Sequence, residues 1–385
     1  MRLLISGAVA VALLAPAGTA SAAPTVTATP LPVPDGTTNS VVSDLNDAGV
    51  AVGRADVDGT SRALRWDAAG YTALPAPAQR PGASAARVSE SGVVVGSIGE
   101  PDVNQRSIRH WRPDGTTGDC PLTLWAPLGV EDANESGDAL VGTVTSGRRF
   151  SATVCRADGG TVNTDLAVAH ALSDDGRVAG ARPGSSATNY NYVPTVLSAG
   201  GTATTLPVPA GQAGVAYDFG PGDAVVGALG TMRFGTGPSI TFVPRVAVIW
   251  SGGRITELGT LGGDTSVPAD TGRAVNAAGD VIGTSTTASG ETHAFRWRAG
   301  TLTDLGTLGG PSSAPTAIND QGQVVGASRT AAGETHAFRW DDGELTDLGA
   351  PGGTASSAAD VNASGVVVGT VTTTTGTQAV RWTAS

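Results

Sequence analysis

Lysine is missing from this chain: all 23 basic side chains are arginine, set against 34 acidic ones, for a formal net charge of -11. An acidic chain with no basic cluster lacks the electrostatic footprint that a phosphate backbone requires, so neither nucleic acid nor an anionic membrane surface is an expected partner. The same absence removes lysine-based covalent chemistry. Aromatic residues make up only 4% of the chain and cysteines number two. Past the first 22 residues, no stretch approaches the roughly 20 apolar residues that a membrane-spanning helix needs. No Gly-x-Ser-x-Gly elbow, His-Glu-x-x-His helix or phosphate-cradling glycine loop is present, so no catalytic residue and no cofactor is assigned.

Residues 1–22 combine a basic start at Arg2, an apolar run from Leu3 to Leu14 and the small-residue pattern Ala20-Ser21-Ala22. That pattern is expected of a secretory signal peptide, followed by a single domain over 23–385 that works outside the cell. Cleavage takes away Arg2 and no acidic residue, moving the net charge from -11 to -12. An exported chain with two cysteines usually oxidises them, and Cys120 and Cys155 are expected to form one disulfide, with a buried free thiol at Cys155 as the alternative. Closing a loop of about 36 residues stabilises by roughly 4 kcal/mol in the chain-entropy model.

The chain repeats itself. Gly290-Glu-Thr-His-Ala-Phe-Arg-Trp297 returns as Gly333-Glu-Thr-His-Ala-Phe-Arg-Trp340, 43 residues on. Turn glycines at 49, 92, 137, 176, 222, 279, 322 and 365 mark eight copies with a period near 45 and one insertion, in the fifth. In the seventh, Thr316–Asn319 meets a turn at Asp320-Gln321-Gly322, then Gln323–Ser328. A polar loop follows, then the alternating run His336–Trp340, a turn at Asp341-Asp342-Gly343 and a fourth short run Glu344–Leu348. Period-two alternation bounded by polar turns means strands, and four short strands per unit of about 45 residues predict an all-β propeller of eight four-stranded blades. Seven blades or a β-helix are the alternatives. The last copy stops at Trp382 without a fourth strand, and residues 25–33 supply the missing one, closing the ring and hiding an edge. Trp66, Trp111, Trp250, Trp297, Trp340 and Trp382 end the third strand of six copies and are expected in the core. Cys155 and Leu197 stand at that place in copies three and four.

The Asn-x-x-Gly-x-Val-Val-Gly turn, the His-Ala-Phe-Arg-Trp strand and the Leu-Gly-Thr-Leu-Gly-Gly linker at 305–310 together resemble the secreted bacterial HAF-repeat proteins. The resemblance spans residues 40–385 and is tightest in copies six and seven. It implies an extracellular repeat protein and brings no catalytic residues with it.

His293 and His336 each follow a glutamate by two residues, Glu291 and Glu334, but a residue written into a repeat serves the repeat's own packing, so no metal site is assigned. His110 and His170 have no such partner in view. Asp56-Val-Asp58-Gly59 is half of a calcium loop, and Asn134-Glu-Ser136 and Asn362-Ala-Ser364 match the glycosylation pattern while being the repeat's own turn. Binding residues are expected where the repeat is interrupted: Asn189, Tyr190, Asn191 and Tyr192 in the copy-four loop, and Met232, Arg233 and Phe234 in the long copy-five loop from Leu229 to Ile240. Together they suit a sugar or a peptide. The expected function is a secreted, monomeric, non-enzymatic module that binds extracellular glycan or protein. The alternatives are a propeller hydrolase or lyase with acidic residues at the central channel, and a structural envelope component.

Overall fold

The computed structural model describes residues 26–99, 107–120, 129–145, 149–184, 191–234 and 240–384. Every regular element among them is a β-strand. Each repeat is an antiparallel meander; the first runs Thr37–Leu45, Ala51–Val57, Thr60–Asp67 and Gly70–Ala73. Six such four-stranded sheets stand separately. Repeats six and seven share one eight-stranded sheet, joined through a single parallel contact between Thr292 and Ser312. Each sheet packs on the next, and the inner strand of repeat one packs on three strands of repeat eight, so the order closes on itself. The fold is a β-propeller, and residues 1–25 with the expected signal peptide lie outside the described part.

The closing strand is the N-terminal one. Val26–Pro30 pairs antiparallel with Gly376–Ala384, from Val26 opposite Ala384 to Pro30 opposite Val380. The Leu31 amide extends the ladder to the Ala379 carbonyl at 2.9 Å. Cys120 and Cys155 are bridged with their Cα atoms 5.7 Å apart, tying the outer edge of repeat two to the third strand of repeat three.

Since blades stack face to face, both faces of a strand are covered. Ala337 and Phe338 are each 0% exposed although they point opposite ways, and the core is a series of layers between sheets. Five of the six repeat tryptophans are buried and Trp297 is half-buried.

The repeated polar residues stitch blade to blade. The turn asparagine accepts the amide four residues on and donates to the next repeat's carbonyl: Asn276 to Asn319 at 3.1 Å, Asn319 to Asn362 at 2.9 Å, Asn362 to Asn46 at 3.3 Å and Asn46 to Ser89 at 3.0 Å. Inner-strand serines accept amides from the preceding repeat's third strand, as Ser356 does from Ala337 at 2.8 Å and Ser40 from Ala379 at 2.9 Å. His336 Nδ1 lies 2.9 Å from Asp347 and His293 Nδ1 2.9 Å from Asp304, so these histidines pair with the aspartate of the fourth strand. Asp56 accepts from the Ser61 hydroxyl at 2.6 Å within its own hairpin.

The last glycine of Val-Val-Gly has a steric cause. At Gly326, and at its counterparts Gly53, Gly96, Gly180, Gly227, Gly283 and Gly369, a Cβ would overlap a carbonyl oxygen of the bulged inner strand. Gly326→Ala must push two paired strands apart in a packed interior, at a cost of about 3 kcal/mol. A denaturant midpoint equal to wild type would contradict this contact.

Two expectations about loops are corrected. Much of the copy-five insertion is strand: Val225–Phe234 and Ile240–Ser251 form a long hairpin, because after one bulge at Leu229/Gly230 the residues Gly230–Phe234 and Ile240–Pro244 go on pairing past the usual blade length. The expected link Gly309-Gly310 begins the inner strand Gly309–Ile318, since Gly309 already pairs with Thr330.

Candidate functional site at the central channel

Seven inner strands carry a bulge near one end, where an extra residue bends the strand and shifts the pairing. Just past the bulge stand Asp44, Arg87, Asp132, Ala171, Asp218, Ala317 and Asp360. Each of the four aspartates accepts an amide of the following repeat: Val88 to Asp44 at 2.6 Å, Leu172 to Asp132 at 2.9 Å, Ala274 to Asp218 at 2.9 Å and Leu45 to Asp360 at 3.0 Å.

Repeat six departs from this plan. Residues 270–273 leave the inner strand and cross the channel as a loop. Arg273 donates to Asp360 of repeat eight at 2.5 Å and to Asp44 of repeat one. Thr271 offers its carbonyl to Arg87 of repeat two at 3.2 Å, and Gly272 lies against Asp132 of repeat three. Asp270 Oδ1 is 2.6 Å from His170 Nδ1 of repeat four. One short loop can meet so many repeats only on the axis, so it plugs the channel. Beside it remains a cavity of about 180 Å³ bounded by Asp44, Arg87, Asp132 and Arg273.

Four carboxylates face two guanidiniums in this buried setting. Burial pushes Asp218 up to about 7, with the nearby Asp132 charge adding to it. Burial pushes Asp132 up to about 6 against the pull of Arg87. Asp360 is also raised by burial; Arg273 pulls it down and Asp44 pushes it up. Raised carboxylates suit acid chemistry. Here they are committed to amides and guanidiniums, and Asp44 and Asp360 are each only 1% exposed.

The more open part of the cluster is His170, Asp270 and Glu131, with the buried Tyr217 behind the imidazole. The rings of His170 and Tyr217 stack with centroids 4.5 Å apart and 24° between planes. Asp270 keeps 60% of its side chain exposed, and burial raises Glu131. A carboxylate on Nδ1 orients the imidazole, which sets Nε2 up as its other polar contact. Sequence reading gave His170 no partner because Asp270 is 100 residues away. The available signal was Asp270-Thr-Gly-Arg273, which puts a glycine where the other repeats continue the inner strand.

Of the expected binding residues, Asn189 and Tyr190 lie outside the described residues. The Asn191 carbonyl accepts the Gly184 amide at 2.7 Å. Half-buried Tyr192 packs on Phe242 of the repeat-five hairpin with centroids 6.4 Å apart. Across that hairpin Phe242 pairs with Met232, Thr241 with exposed Arg233 and Ile240 with Phe234. Tyr192 and Phe242 join Val168, Val215 and Tyr217 in one cluster, so the departures in repeats four and five meet each other and back onto the His170–Tyr217 stack. Arg182 and Asp165 make a loose pair at 3.4 Å beside them.

No protein-family model and no curated protein matches the chain. Several solved structures do. The β-propeller domain of the trilobed protease from Pyrococcus furiosus gives a TM-score of 0.52 at 13% identity, over 81% of this chain and 98% of that one. Porphyromonas gingivalis dipeptidyl peptidase 4 gives 0.53 at 10% identity, over 87% of this chain and 56% of that one. The acylaminoacyl peptidase of Pyrococcus horikoshii gives 0.50 at 11% identity, over 82% and 53%. This chain therefore spans about half the length of the last two, and at such identities the likeness is one of fold: a β-propeller.

Proposed function

We propose that the protein is a secreted HAF-repeat propeller of eight blades that binds an extracellular glycan or protein and does no chemistry on it. The observation that carries this reading is the meeting of Tyr192 with the Met232/Phe242 hairpin: the interruptions of two consecutive repeats pack against each other on adjacent blades. Interruptions that merely drift need not converge, whereas a binding surface requires convergence. The disulfide, and the lack of any helix among the described residues long and apolar enough to cross a membrane, fit work outside the cell. Against a hydrolase or lyase at the channel, its four buried aspartates are spent on neighbouring repeats and the exposed Asp270 is paired with His170.

A glycan and cell-wall array probed with wild type and with a Met232→Ala/Arg233→Ala variant tests this. These side chains contribute little to the core, so the variant is expected to fold and to lose about tenfold or more in signal on whatever wild type retains. Equal signal from both proteins, with wild-type binding present, would remove the patch.

A further inference from the structure

Where the repeat tryptophan is present, its indole lies in the seam toward the preceding blade. In three repeats Nε1 donates to the carbonyl two residues past that blade's outer strand, Trp66 to Pro32 at 2.7 Å, Trp111 to Pro75 at 2.8 Å and Trp250 to Pro207 at 2.7 Å, whereas the buried Trp382 Nε1 has no partner among the described residues. The residue just before the tryptophan of the preceding blade can cover the ring, as Arg296 covers Trp340 at 4.5 Å. In the seam between repeats three and four both parts are changed. Leu197 stands for the tryptophan, Val154 for the covering arginine, and Asp165 for the acceptor proline.

A pocket of about 210 Å³ opens there, walled by Val154, Val162, Val178 and Leu197 and reaching Asp165. The matching groove between repeats one and two is larger, about 510 Å³, but Trp111 itself forms its wall. Around the smaller pocket Asp138, Asp165, Asp174 and Asp175 stand against Arg156 and Arg182, and Asp175 is paired with Arg177 at 2.9 Å, which leaves a surplus of one negative charge. Among the described residues, Asp138 and Asp174 each use Oδ1 alone, on the backbone amides of Ala157 at 2.9 Å and Glu135 at 3.0 Å.

We propose that this seam binds an indole ring carried by a cationic ligand, its N–H donated to the Asp165 carbonyl as Trp66, Trp111 and Trp250 donate to proline carbonyls. The sister seams show what the shape holds, the valine walls exclude water from the ring faces, and the acidic rim selects a positive charge. The site shares no residue with the Tyr192–Met232 surface, so the two readings fail separately.

Calorimetry with tryptamine is the test, with a capped peptide bearing one internal tryptophan beside an arginine as a second arm. Tighter binding of tryptamine points to a small amine, and tighter binding of the peptide to a protein segment. Saturable tryptamine binding is expected, with indole-3-acetate about tenfold weaker because its charge is reversed and 1-methyltryptamine about tenfold weaker because it cannot donate. Leu197→Trp fills the seam from within and should abolish binding. No saturable binding to wild type, or undiminished binding by a folded Leu197→Trp protein, would overturn the proposal. Should that variant not fold, equal affinity for tryptamine and 1-methyltryptamine would overturn it equally.

Discussion

Arg273→Met should lower unfolding stability near neutral pH by about 3 to 5 kcal/mol, the usual cost of stripping the partner from buried charge. Asp44 and Asp360 are each 1% exposed and would be left facing one another with backbone amides only. The arginine itself keeps 31% of its side chain exposed, in the channel cavity, so the loss is set by the stranded carboxylates rather than by the desolvated cation. The deficit should shrink on acidification, because protonating Asp360, already raised by burial, removes the uncompensated charge. Wild type should show the same sign more weakly. Asp218 at about 7 and Asp132 at about 6 are raised from 3.8, so their folded forms hold protons that the unfolded chain has released. The stability they confer is complete below about pH 4 and is lost as pH rises toward about 7. Urea midpoints at several pH values, for wild type and variant, check both slopes. A variant deficit that does not change with pH would contradict the arrangement around Arg273.

Deleting residues 26–33 should cost about 4 to 6 kcal/mol, from the burial of Leu31 and its neighbours and from the lost acceptor of the Trp66 indole. Leu31 is 7% exposed, Val26 and Ala28 pack on the core of repeat eight, and the Pro32 carbonyl is the partner of Trp66 Nε1. The deletion also bares the Gly376–Ala384 strand as an edge. Faster amide exchange there and concentration-dependent association are expected. A deletion protein as stable and as monomeric as the full chain would mean that the strand decorates the ring without closing it.

The architecture was legible because a repeat writes its contacts many times. The glycine of Val-Val-Gly, the turn asparagine and the His-Ala-Phe-Arg-Trp strand each recur, and each has the same structural job in the blades that carry it. The N-terminal strand and the bridge between Cys120 and Cys155 could be read for the opposite reason, as single departures with only one place to go. The channel plug could not. Its contacts join Arg273 to residues 229 positions before and 87 after, and no periodicity connects them. The long spacing between the turn glycines at 222 and 279 was assigned wholly to a loop in copy five. It is shared between a hairpin that keeps pairing and the interrupted inner strand of repeat six, two backbone solutions that composition does not distinguish.

The account depends most on the ring being closed by its first strand, and a cross-link tests that directly. Thr27 and Thr383 face each other in the outer pair of repeat eight. In a Thr27→Cys/Thr383→Cys protein, mild oxidation should link the two peptides within one monomer, as mass spectrometry of the digest would show, beside the intact bridge of Cys120 and Cys155. Free thiols at both positions after oxidation, or links found only between molecules, would contradict the closed ring.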